Sequence, residues 1–70
     1  MNEAEFRVAV ARAGLTNRDI ATSLGISEQA FYNKAAGKTE FKSSEIKKLA
    51  VILSLSMDAV NHIFFDDTVN

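Results

Sequence analysis

Residues 16–37 read Thr-Asn-Arg-Asp-Ile-Ala-Thr-Ser-Leu-Gly-Ile-Ser-Glu-Gln-Ala-Phe-Tyr-Asn-Lys-Ala-Ala-Gly, and this stretch decides the fold. Thr16 can cap a helix whose third residue, Asp19, can answer it and favours the positive end of the helix dipole. Ile20, Ala21 and Leu24 then recur at helical spacing, which gives that helix one apolar face. Gly25 permits the left-handed backbone that stops the helix and turns the chain. Ile26 can fill the space between the two helices, and small Ala21 lets them approach closely. Ser27 caps a second helix. Two short helices, a tight turn and a polar second helix are the sequence form of a helix-turn-helix, whose second helix is shaped for the major groove of DNA.

Around this unit the spacing predicts five helices. The first runs from about Glu3 to Ala13, with Asn2 as cap and Phe6, Ala9, Val10 and Ala13 as its inner stripe. Gly14 ends it. The helix after Ser27 spans about Glu28 to Ala36, with Gly37 as its stop, Phe31 and Ala35 inside, and Glu28, Gln29, Tyr32 and Asn33 outside. Residues 38–42 form a loop from which Phe41 tucks inward. Ser43 or Ser44 opens a fourth helix carrying Ile46, Leu49, Ala50 and Leu53, over whose end Leu55 folds back. Ser56 caps a fifth, from Met57 to about Phe65. The expected division is one domain over 1–65, with a polar tail at 66–70.

The resemblance to a known family rests on three segments. Leu-Thr-Asn-Arg-Asp-Ile-Ala-Thr-Ser-Leu-Gly-Ile-Ser at 15–27 is similar to the first helix and turn of the phage repressor and Cro superfamily, the Xre type. Asn-Lys-Ala-Ala-Gly-Lys-Thr at 33–39 is similar to the segment leaving its recognition helix. Ser-Glu-Ile-Lys-Lys-Leu-Ala-Val-Ile-Leu-Ser-Leu-Ser at 44–56 is similar to its fourth helix. The ending Ile63-Phe64-Phe65 resembles small regulators from temperate phages and prophages of low-GC Gram-positive bacteria. The resemblance implies an all-α, five-helix, lambda-repressor-like DNA-binding domain. Its members include repressors, Cro-like antagonists, antitoxins and modulators that act on other proteins.

Composition is consistent with one small helical domain. A chain of 70 residues has room for a single, marginal core, and 47% hydrophobic residues suffice for it. With no Cys, neither a disulfide nor a Cys-containing zinc site can staple it. No Pro and only three Gly suit helices with short turns. No stretch has the length of a membrane span, and Met-Asn-Glu-Ala-Glu lacks the pattern of a signal peptide. The expected location is the cytoplasm of a bacterial host cell.

Charge argues against an easy DNA reading. The net charge is −1 and the pI is near 5.7, whereas a DNA-binding domain usually carries a positive footprint. Residues 1–48 hold eight basic and six acidic residues, leaving +2, and residues 49–70 hold Asp58, Asp66 and Asp67 alone, leaving −3. Segment 17–42 has Arg18, Lys34, Lys38 and Lys42 against Asp19, Glu28 and Glu40, only +1. So weak a field implies few neutralised phosphates and poor binding by a lone monomer.

The base-reading residues expected on the second helix of the pair are Ser27, Glu28, Gln29, Tyr32 and Asn33. Gln29 can donate to adenine N7 and accept from N6, and Asn33, one turn later, can do likewise. Ser27 can bond a phosphate or a base. Glu28 can accept from cytosine N4 but repels phosphates, and Tyr32 can reach the backbone or a thymine methyl. Asn17, Arg18, Lys34, Lys38, Thr39 and Lys42 are the expected phosphate contacts, Asn17 standing where free helix N–H groups also favour an anion. The alternative for each is an ordinary solvated side chain.

Other patterns carry no chemistry. Gly37-Lys38-Thr39 resembles the end of a phosphate loop, but the loop's first glycine would fall at Tyr32. Ser44-Glu45-Ile46-Lys47 matches Ser-x-x-Lys at a helix start, where Ser caps and Lys is solvated. His62, with Asp58 and Asp66 one turn to either side, is a surface group more than a metal ligand. No nucleophile, base and oxyanion site assembles, so neither an enzyme, a cofactor nor a small-molecule substrate is expected.

Two functions remain open. One is a sequence-specific transcriptional regulator that binds double-stranded operator DNA as a homodimer. The other is an antirepressor, using the same fold to bind a phage repressor protein. In either case the face at Met57, Val60, Phe64 and Phe65 is the expected protein interface. Val60, Ile63 and Phe64 have helical spacing and can close the core, whereas Phe65, about 100° further round the helix than Phe64, leaves an apolar patch outside.

Overall fold

Helix caps set the boundaries of this chain, whose computed structural model describes residues 1–65. Asn2 opens α1 (Glu3–Ala13) by accepting the Glu5 amide on its side chain. Thr16 opens α2 (Asn17–Leu24) with a reciprocal pair of bonds. Its Oγ1 accepts from the Asp19 amide at 3.1 Å, and the Asp19 carboxylate accepts from the Thr16 amide at 3.2 Å. The Ser27 hydroxyl accepts from the Ala30 amide and opens α3 (Glu28–Ala35). Ser56 does the same for the Ala59 amide at the start of α5 (Met57–Val60). These residue types supply an oxygen to N–H groups that the first helical turn leaves unpaired.

Between α2 and α3 the chain turns at Gly25, Ile26 and Ser27. Gly25 has φ of 74°, a left-handed conformation that strains residues with a Cβ. The Ile26 amide reaches back to the Ala21 carbonyl at 3.0 Å, and the Ile26 side chain packs half-buried against the core.

Two details differ from the sequence expectation. α4 (Ser43–Ile52) begins one residue earlier in its capping than Ser43 or Ser44 would set it. Lys42 is the cap residue, and Glu45 accepts the Lys42 amide at 2.7 Å, so the two serines lie inside the first turn. The last helix also changes character. It is α-helical only to Val60 and continues as a π-helical turn over Asn61–Phe65. A π turn winds more residues per turn than an α-helix, so a 100° step does not describe 61–65. The expected tail at 66–70 lies outside the described residues.

Among the described residues the structure is all-helical. Phe6, Ile20, Leu24, Phe31, Leu49, Leu53 and Ile63 share one buried core, against which Val10, Ala13, Ile26 and Leu55 pack half-buried. The rings of Phe6, Phe31, Phe41 and Phe64 form a connected cluster, with neighbouring centroids 5.4 to 6.1 Å apart. Phe41 therefore does fold inward from its loop. The Asn2 amide donates to the Ile63 carbonyl at 2.7 Å, which seams the start of α1 to the π turn. No described helix is long and apolar enough to cross a membrane.

Candidate functional site

The outer face of α3 and the start of α2 together form a polar cleft of about 390 Å³, lined by Asn17, Glu28, Gln29 and Tyr32. It exists because the turn at Gly25 brings the N-terminal ends of the two helices side by side. Phe31 holds α3 from below, 1% exposed, and the residues on either side of it are thereby turned outward. Tyr32 is 59% exposed. Glu28 and Gln29 are also exposed, and Asn33 is half-buried.

Within this face the side chains are already engaged with one another. Gln29 Nε2 donates to Asn33 Oδ1 at 3.2 Å, an i to i+4 pairing along the helix. Glu28 meets Arg18 at 3.5 Å across the α2–α3 junction. Both are open to solvent, so this ion pair adds little to stability, but it offsets the charge by which Glu28 would repel a phosphate. Ser27 spends one lone pair on the Ala30 amide and retains its hydroxyl proton for donation.

Of the basic residues expected to meet phosphates, Lys34 is placed elsewhere. Its ammonium turns inward to Glu45 Oε1 at 3.0 Å, and the two side chains are only 13% and 8% exposed. The same ammonium donates to the Glu40 carbonyl at 3.2 Å and lies 6.0 Å from the Phe41 ring centre. Lys34 is thus a tie between α3 and α4. A lysine stem long enough to lie along the aromatic cluster, with a carboxylate at its end, explains the difference. Lys38, Thr39 and Lys42 remain exposed, as do Asn17 and Arg18.

Glu45 is the residue that sequence reasoning passed over. Burial alone would raise its carboxyl. The Lys42 amide, the bond from Lys34 and the positive charges of Lys34 and Lys42 outweigh that and hold it below the usual glutamate range. A signal was present, since Glu45 stands three residues after Lys42, the answering position of a capping box. The neighbouring serines drew the assignment instead.

The expected protein interface divides. Met57 and Phe65 are 72% and 56% exposed. Val60 is buried, so it cannot serve as an accessible contact, whereas Phe64 is half-buried, packed against the aromatic cluster while still lining a surface cleft beside Phe65. Val60 and Ile63 face inward together, and Phe65 stays outside. His62 has a partner within the structure, and Asp66, named beside it, lies outside the described residues. Among the described residues no three His, Cys, Asp or Glu side chains gather into a group that could hold a metal ion.

No curated protein and no solved structure matches the chain. A family model does, over residues 9–67, from the second half of α1 to beyond the π turn. The chain therefore belongs to the family described as protein of unknown function, DUF739.

Proposed function

We propose that this chain is a small phage-type transcriptional regulator that binds operator DNA through α3, acting as a dimer. The observation that carries the reading is the outer face of α3, where Gln29 and Asn33 present linked amides beside Tyr32 and Asn17. Such amides match the donor and acceptor pattern of base edges in the major groove. The α2–Gly25–α3 arrangement and the resemblance of 15–27 to the Xre-type helix-turn-helix support it. In this reading α3 enters the groove by its N-terminal turn, with Ser27, Glu28 and Gln29 nearest the bases. Asn17, Arg18, Lys38, Thr39 and Lys42 meet the backbone. A dimer is invoked because so few cations face the DNA, and the exposed Met57 and Phe65 are the residues that would serve it.

A second reading is favoured by one specific observation. Lys34 is neutralised by Glu45 and Arg18 is paired with Glu28, which weakens an already faint positive field. An antirepressor that captures a phage repressor protein needs no such field.

The experiment is titration of the full chain against DNA from its own promoter region over a range of salt. Lys38→Ala should weaken binding to all sequences alike and lower the salt slope by about one unit. Binding that no α3 substitution affects, together with loss of repressor capture in the Gln29→Ala variant, would make the face a protein interface.

A further inference from the structure

Loop 38–42 carries Lys38, Thr39 and Lys42 exposed, yet its backbone is fastened to the body of the protein along its length. The Lys38 amide donates to the Asn33 carbonyl at 2.9 Å, and the Phe41 ring lies in the aromatic cluster. The remaining fastenings run through a single buried pair. Lys34 Nζ donates to the Glu40 carbonyl at 3.2 Å and to Glu45 Oε1 at 3.0 Å, and the same Glu45 oxygen accepts the Lys42 amide at 2.7 Å. Chemistry fixes the direction of each bond, because an ammonium and an amide N–H only donate while a carbonyl and a carboxylate only accept. With its side chain 13% exposed and its ammonium so engaged, Lys34 cannot itself meet a phosphate.

We infer that Lys34 and Glu45 are positioning residues for binding the DNA backbone: they hold loop 38–42 in the shape that presents Lys38, Thr39 and Lys42 to phosphates, without touching DNA themselves. This rests on the reading of the chain as a DNA-binding regulator. A surface loop without such bonds samples many conformations, and the cations it carries must then be ordered at the moment of binding. Fixing the backbone at Glu40 and Lys42 removes that cost beforehand. The effect matters most in a chain with so few cations on its DNA face.

The test is the salt dependence of binding by the full chain to DNA from its own promoter region, with each variant checked for folding by circular dichroism. Lys34→Met should weaken binding to all sequences alike and lower the salt slope by about one unit or more, although no phosphate contact has been removed. Lys38→Ala, worth about one unit in the wild type, should change the slope of Lys34→Met by much less. Glu45→Ala gives the opposite sign to a purely electrostatic effect. It releases the Lys34 charge and makes the chain more positive, which by charge alone would tighten binding. Loss of the acceptor for the Lys42 amide should instead weaken binding and lower the slope. Glu45→Gln, which retains an acceptor for that amide, should recover most of the loss. If Lys34→Met does not fold, the double variant with Glu45→Gln, which leaves no unpaired carboxylate, replaces it in the comparison. An unchanged slope in the folded variant, additive effects of Lys34→Met and Lys38→Ala, or tighter binding by Glu45→Ala would each overturn the inference while leaving DNA binding intact. A folded wild type that binds no DNA overturns the DNA-binding reading itself, and the inference with it.

Discussion

Replacing Lys34 by Met separates a structural lysine from a phosphate-binding one. Met keeps much of the stem that lies along the aromatic cluster and deletes the charge. Glu45 would then be a carboxylate only 8% exposed that still accepts the Lys42 amide at 2.7 Å but faces no positive charge at the end of Lys34. Breaking a buried ion pair from one side costs about 3–5 kcal/mol. The retained amide bond places this site at the low end, about 3 kcal/mol, a large share of the stability of a small domain. Glu45→Gln should cost less, about 1–2 kcal/mol, because the glutamine oxygen still accepts the Lys42 amide and Lys34 retains the Glu40 carbonyl. The double variant should be more stable than Lys34→Met alone, since no unpaired carboxylate remains, giving a coupling of about 1–3 kcal/mol.

Chemical denaturation followed by circular dichroism reads these differences, with the slope expected to stay constant across variants. The pH dependence has a definite sign. Glu45 is held low in the folded state, so its contribution is complete above the ordinary glutamate range and is lost as pH falls through the depressed folded value. The gap between wild type and Lys34→Met should therefore be full at neutral pH and close in acid. A Lys34→Met variant within about 0.5 kcal/mol of wild type, the behaviour of an ordinary surface residue, would refute the buried tie. So would a gap that acid leaves unchanged.

Leu24→Ala should cost about 2–5 kcal/mol in the same assay, because Leu24 is 5% exposed between α2 and the core. Gly25→Ala should cost only about 1–2 kcal/mol, the strain of a left-handed alanine, because nothing lies within 4 Å of the added Cβ; a larger loss would mean a clash that the turn does not contain. Phe65→Ser should leave the fold intact and weaken association measured by sedimentation, whereas a variant with unchanged stability and unchanged association would make Phe65 an isolated exposed side chain.

The parts of the fold legible in the sequence are those governed by neighbours along the chain. Thr16 and Asp19 are three residues apart, and both bonds of their capping box form. Gly25 adopts the left-handed turn that its lack of a Cβ allows. Phe6, Ile20, Phe31 and Leu49 occupy the buried positions that 3.6-residue spacing assigns them. What escaped depends on contacts between distant segments. The Lys34–Glu45 tie requires the path of loop 38–42, which no local pattern encodes. The π turn at 61–65 has no side-chain signature, whereas the inward face of Val60, Ile63 and Phe64 follows from helical spacing, and the burial of Val60 removes it from the accessible interface. On α3 the exposure of Gln29 followed from Phe31 facing inward, but its bond to Asn33 was not foreseen, because a period of 3.6 places two side chains together without saying which atom donates.

The seam between the Asn2 amide and the Ile63 carbonyl bears on the order of folding. Contacts between α2, α3 and α4 close short loops, whereas this bond joins residues near the two ends of the described chain. Loop closure over so long a segment is entropically disfavoured until the intervening helices have condensed. The seam is therefore expected to form after the rate-limiting step and to part before it on the way out. Substitutions that weaken it should quicken unfolding while leaving the folding rate nearly unchanged. The lifetime of the folded state would then be set at the junction of α1 with the π turn, on residues that make no claim to the α3 face.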